Sequence, residues 1–207
     1  MKNLQFLLAF VLLFGCSSAD LINNWKNPDI EVYTPNKVLI IGLTSNDNAR
    51  KKFENELKSE YERRGIIAVA SYEYFNSEKK TEQDIDKMEQ QIINDGFDTI
   101  LFTKVIGSDS KTRLAQSYKN IEGTYRDFKE EYYSYQDIIH NPEYYENYQI
   151  YHAETELFCV CETEAKRLIW KGYVDITDPI SIEDTVSDYV NLVVLAMDEQ
   201  NLIHVVE

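Results

Sequence analysis

His152, Glu154 and Glu156 alternate along one short stretch, so in an extended chain they share one face. An imidazole and a carboxylate side by side can pass a proton between them, the minimum for general acid–base work. The same alternation also writes the exposed polar face of a hairpin, and that reading is preferred. Cys159 and Cys161 repeat the spacing. On a straight strand their Cα atoms stand about 6.5–7 Å apart, at or beyond the usual reach of a disulfide, so they read as small buried hydrophobes. His140, His152 and His204 are scattered and show no zinc spacing. Asp175, Asp178, Glu183 and Asp184 gather before a helical segment without the glycine-bearing loop of a calcium site. Favourable charge at a helix N-terminus accounts for them.

The segment GLTSNDNAR, residues 42–50, places backbone amides where an anion can bind. It has one glycine and no Gly-Lys-Ser/Thr, so it meets neither nucleotide motif and reads as a capped helix start. Neither Gly-x-Ser-x-Gly nor His-Glu-x-x-His occurs. No catalytic, cofactor-binding or metal-binding residue is assigned, and no cofactor is expected.

The elements that must hold these residues follow from periodicity. KVLIIGLT, residues 37–44, reads as a strand buried on both faces. Ala49, Phe53, Leu57 and Tyr61 then recur every fourth residue, one helical stripe ended by Gly65. Lys52/Glu56, Glu54/Lys58 and Glu60/Arg64 are opposite charges four apart, a solvated helix face. Residues 66–75 read as a second strand, and Thr81 with Asp84 opens a second helix whose stripe is Ile85, Met88 and Ile92. Residues 98–106 give a third strand, so two strand–helix–strand units imply parallel strands. Residues 150–162 and 168–176 suit an antiparallel hairpin. Ser181 with Asp184 caps a last helix, apolar nearly all round, and residues 202–206 suit a final edge strand. The expected fold is a single α/β domain: a β-α-β-α-β parallel core extended by an antiparallel hairpin and a buried C-terminal helix.

Residues 107–149 break this rhythm and read as an insertion with room for a short helix. Tyr118 to Tyr151 hold nine of the fifteen tyrosines. Tyrosine buries a large ring and keeps a polar tip, which suits covering a sheet edge, gripping a protein or stacking on a sugar.

The chain has 207 residues, 43% of them hydrophobic, and a net charge of −15. Such acidity repels phosphate backbones, so nucleic acid is excluded as a partner, and attachment to a membrane must be apolar or covalent. Lys2 precedes an apolar stretch from Leu4 to Phe14. That is too short to span a bilayer, which takes about 20 residues, but it suits a secretory leader. Leu13, Phe14, Gly15 and Cys16 follow, and this resembles the lipobox of bacterial lipoproteins. The resemblance implies cleavage after residue 15 and a diacylglycerol thioether on Cys16, with palmitate-type acylation of the new terminus. Several acyl chains anchor stably where one is marginal. Losing Lys2 brings the mature charge to about −16. Ser17 and Ser18, with no acidic residue after the cysteine, resemble an outer-membrane sorting signal. Residues 16–36 read as the lipidated terminus and a tether, in which Trp25 folds back onto the domain, and 37–207 as the domain.

NNWKNPDI, KVLIIGLTSNDNARKKFENEL, RRGIIAVASYEYF, GFDTILFTKVIG and ETELFCVCETEAKRLIWKGYVDI together resemble a family of small bacterial cell-envelope lipoproteins over nearly the whole mature chain. Trp170 sits on the second strand of the family's hairpin, and Glu164-Ala165 stands where members commonly have a glycine. At fold level the order is similar to the periplasmic domain of the curli secretion lipoprotein and to the N-terminal part of TolB. The resemblance implies a lipid-anchored envelope module without assigned chemistry, with an envelope protein or further copies of itself as partner. The competing expectation is a small-ligand or glycan-handling protein, a hydrolase included, built on residues 42–48 and the insertion.

Overall fold

A computed structural model describes residues 18–75, 78–114, 145–160 and 167–203. Six strands form one sheet: β1 (Ala19–Lys26), β2 (Lys37–Leu43), β3 (Ile67–Ala70), β4 (Thr99–Leu114), β5 (Tyr145–Cys159) and β6 (Arg167–Thr177). Their spatial order is β1-β6-β5-β4-β2-β3. β2 runs parallel to β3 and β4, and the other pairings are antiparallel. The helices are α1 (Asp47–Arg63), α2 (Ser71–Tyr74), α3 (Glu82–Asn94) and α4 (Ile182–Glu199). The parallel core, the hairpin and the buried last helix are all present.

β2 explains why the sheet is covered on both sides next to its β3 edge. Val38 and Ile40 face a core shared with Phe53, Leu57 and Tyr61 of α1 and with Tyr189, Val193 and Met197 of α4. Leu39 faces the other way, toward Ile92 at the end of α3 and Phe97 beyond it. The Asn46 side chain accepts from the amides of Asn48 and Ala49, Thr81 and Asp84 form a reciprocal capping box, and Ser181 accepts from the Asp184 amide. Gly65 and Gly96 follow α1 and α3 at positive φ, a conformation glycine adopts without a Cβ clash. Ile85, expected in the buried stripe of α3, is exposed, so α3 is held by its later turns.

Several further sequence expectations change. First, the tether supplies an edge strand: β1 pairs with β6 from Ala19↔Ile176 to Lys26↔Trp170. A bulge between Leu21 and Asn23 breaks the alternation that would have marked it. Second, β4 and β5 run far into the stretch taken as an insertion, and their ladder extends from Thr99↔Cys159 to Leu114↔Tyr145. β6 stops opposite Ile150 and β2 opposite Lys104, so the outer part is a two-stranded ribbon. The remainder of that stretch, with the possible short helix, lies outside the described residues. Third, the strand of residues 66–75 ends at Ala70 and turns into α2. The Glu54 carboxylate accepts from the Ser71 hydroxyl at 2.7 Å and the Tyr72 amide at 3.0 Å, which pulls the chain around. Fourth, Cys159 is disulfide-bonded. β5 ends at Cys159, so straight-strand spacing does not carry on past it; Cys16 and Cys161 lie outside the described residues. Leu202 and Ile203, the start of the expected edge strand, are fully buried in a bend, and residues 204–206 lie outside the described residues.

Trp170 is the largest fully buried side chain, and its ring lies against the backbone of Gly172. A Cβ on residue 172 would meet Trp170 Cη2 at 2.3 Å, closer than any real contact. Gly172→Ala is therefore expected to lower stability by about 1–3 kcal/mol through forced repacking. A fall in the urea midpoint at unchanged m-value checks it, and an unchanged midpoint contradicts it.

Candidate functional site

Glu154 and Glu156 stand on β5 between Lys104 of β4 and Lys171 of β6, where the register sets Lys104 opposite Glu154 and Lys171 opposite Glu156. Lys104 Nζ reaches Glu154 at 2.7 Å and Glu156 at 2.9 Å; Lys171 Nζ reaches Glu156 at 2.7 Å and Glu154 at 3.4 Å. The two carboxylates are only 6% and 7% exposed. Burial acts to raise the Glu154 pKa, but hydrogen bonds from Lys104 and Tyr173 and both lysine charges outweigh it and hold the carboxyl below its ordinary range. A general acid needs the opposite shift, toward neutrality. This four-charge lattice ties three strands together and leaves both carboxylates occupied.

His152 does not complete that set. Its Nδ1 lies 2.6 Å from Asp175 Oδ1 on β6, and its Nε2 faces Asp109 at 3.7 Å across the ribbon. Lys111 stands 3.3 Å from Asp109. The remaining acidic candidates scatter: Asp184 accepts from the Ser181 hydroxyl, and the Asp178 amide donates to Gln149 O at 2.8 Å. Among the described residues no group of three or more His, Cys, Asp or Glu side chains is placed to hold a metal ion.

The sequence reading missed Glu54. It assigned this residue to a solvated helix face beside Lys58, whereas the side chain is fully buried and Lys58 pairs with Glu73. Besides Ser71 and Tyr72, Glu54 accepts from the Gly42 amide at 2.9 Å and from Arg50 Nε at 3.0 Å. One carboxylate thus joins β2, α1 and the start of α2, which satisfies the requirement that a buried charge be paired. The available signal was spacing: Glu54, Leu57 and Tyr61 fall on one helical stripe, and Arg50 lies one turn before.

The C-terminal ends of β2 and β6, with Val105 midway along β4, form a cleft of 890 Å³ between the N-termini of α1 and α4. Leu43, Val105, Ile176 and Ile180 wall it, and its lining contains no charged side chain. It narrows to a recess of 110 Å³ reached by Phe53, Thr103 and Tyr189. There the Tyr189 hydroxyl meets Thr155 Oγ1 at 2.8 Å, and Thr155 meets Thr103 at 2.7 Å. Burial pushes the Tyr189 phenol up to about 12, so it stays protonated. The loop singled out from sequence does line the cleft, at residues 43–46. Yet the Asn46 side chain already occupies two amides of α1, and the cleft walls are mainly apolar, with Arg50 and Lys104 reaching only the inner recess. The cleft suits an apolar contact and offers no convergent carboxylates. Trp25 is half-exposed on β1, Tyr151 lines the cleft mouth, and Cys16 lies outside the described residues, two positions before Ser18.

No family profile matches the chain, and no curated protein matches it. Among solved structures, PelC from Paraburkholderia phytofirmans, a dodecamer, is similar at 9% identity and TM-score 0.45, covering 89% of this chain and 98% of that one. Lipoprotein GNA1162 from Neisseria meningitidis is similar at 14% identity and TM-score 0.42, covering 80% and 99%.

The His152–Asp175 contact gives a pH prediction. The hydrogen bond to Asp175 raises the imidazole pKa above 6.5, burial opposes it, and the charges of Asp175 and Asp109 add to the rise. A raised folded-state pKa means that the contact's contribution to stability is complete below about 6.5 and is lost as pH climbs through the raised value. An NMR titration of His152 is expected to show a midpoint above 6.5 that falls in Asp175→Asn. A midpoint the same in both proteins contradicts the assignment.

Proposed function

We propose that this chain is a bacterial cell-envelope lipoprotein, held by acyl chains on Cys16, that works as a non-enzymatic binding or assembly module. The observation that carries the anchor is the sequence Leu13-Phe14-Gly15-Cys16 set immediately before a folded body, with Ser18 already hydrogen-bonded to it. Ser17 and Ser18 support the outer membrane as destination. Two features support binding over chemistry. The paired carboxylates of β5 are neutralised by lysines, and the outer strand-tip cleft is lined by uncharged groups and no carboxylate.

The outer part of the β4–β5 ribbon is where a protein partner or a second copy would engage. Among the described residues neither β2 nor β6 continues alongside it beyond Leu43 and Thr177, and an outer ribbon of this kind can take an added strand.

Cys16→Ser tests the anchor. The native chain is expected to sediment with membranes and to show diacylglycerol mass at its terminus, whereas the variant is expected in the soluble fraction. A variant that still sediments, or an unmodified native terminus, contradicts the proposal. For the module, crosslinking of detergent-extracted protein is expected to capture a further subunit, and a protein that stays alone and monomeric contradicts it.

A further inference from the structure

We infer that the strand-tip end of the sheet is the face by which the body rests on the bilayer that holds Cys16. The inference deepens the lipid-anchor reading and rests on it. Its origin is the loss of the expected tether. Ser18 is pinned at the end of β6: its amide donates to Asp188 Oδ2 at 2.8 Å, and its carbonyl accepts from the Thr177 amide at 2.8 Å. Only Ser17 separates it from Cys16. Two residues of chain reach at most about 7 Å. The thioether is therefore confined to the neighbourhood of Thr177, whose chain neighbours Ile176, Pro179 and Ile180 wall the cleft. A flexible leash of about twenty residues would let the body turn freely; this one does not.

The end so presented is the apolar one. Leu43 is 62% exposed, Val105 48%, Ile106 51% and Ile180 97%, and no charged side chain lines the cleft between them. A patch of this kind marks a membrane or protein contact, and the leash places a bilayer against it. The overall charge of −15 opposes anionic headgroups, so the contact is made by hydrocarbon and favours zwitterionic lipid. The ribbon carries the charged Asp109 and Lys111, which keep it out of the hydrocarbon.

The test uses the full lipidated protein in phosphatidylethanolamine vesicles that carry a phospholipid with a photoreactive acyl chain. Intact mass first establishes that Cys16 is acylated. After irradiation, adducts are expected to be several-fold denser on Leu43, Val105 and Ile180 than on Val32, Ile67 and Leu195, exposed apolar residues toward the opposite end. Inserting about twenty Gly/Ser residues between Ser17 and Ser18 is expected to keep the lipid and lower the enrichment several-fold. Adducts no denser at the tips, or enrichment unchanged by the insertion, overturn the seating while leaving the anchor standing. An unmodified Cys16 removes the anchor itself.

Discussion

Eight residues hydrogen-bonded along one edge of a sheet decide how this protein can meet its surroundings. β1 pairs with β6 along Ala19–Lys26, and the Asn27 amide continues the ladder to Ile169 O at 2.8 Å. Ala19 lies in the main core, and Lys26 Nζ donates to the Glu31 and Gln200 carbonyls at 2.7 and 2.6 Å. The start of the chain is thereby fixed beside the N-terminal half of α4, with Asp188 as its post. Position of the terminus, nearness of the apolar cleft and direction of the ribbon all follow from that one seam.

Inside the body, charge is used to join elements. Glu54 draws donors from β2, α1 and α2, and Glu154 with Glu156 draws lysines from the strands on either side. Removing one partner from such a set is costly, because the other charge stays buried without compensation. These carboxylates hold positions that resemble catalytic spacing while serving cohesion. His152 performs a milder version of the same task at the root of the ribbon, where it bonds Asp175 on β6.

Much of the architecture was legible because it rests on local rules. The stripe of α1, the box at Thr81–Asp84, the cap at Ser181 and the apolar run of β2 each carry their own signal within a few residues. β1 was not legible: the bulge between Leu21 and Asn23 breaks its alternation, and its Asn, Asp and Lys residues read as linker. The outer halves of β4 and β5 failed similarly, since a ribbon wet on both faces needs no hydrophobic pattern. Glu54 was misread because a glutamate on a charged helix resembles its solvated neighbours, and only the tertiary approach of Gly42 and Ser71 buries it. In the candidate site, the loop after β2 was found by the general behaviour of open α/β sheets, whereas the apolar character of its cleft depended on Ile176 and Ile180 from far along the chain.

Hydrogen–deuterium exchange of the amides in residues 19–26 of the full-length, lipidated protein reads the seam directly. If β1 belongs to the sheet, its amides directed at β6 are protected on the same scale as those of β6 itself, while outward-facing ones exchange fast. Uniformly rapid exchange from Ala19 through Lys26, at the rate of an unstructured peptide, would mean that this stretch is a free tether after all, and the fixed terminus, the short leash and the orientation drawn from them would all be wrong.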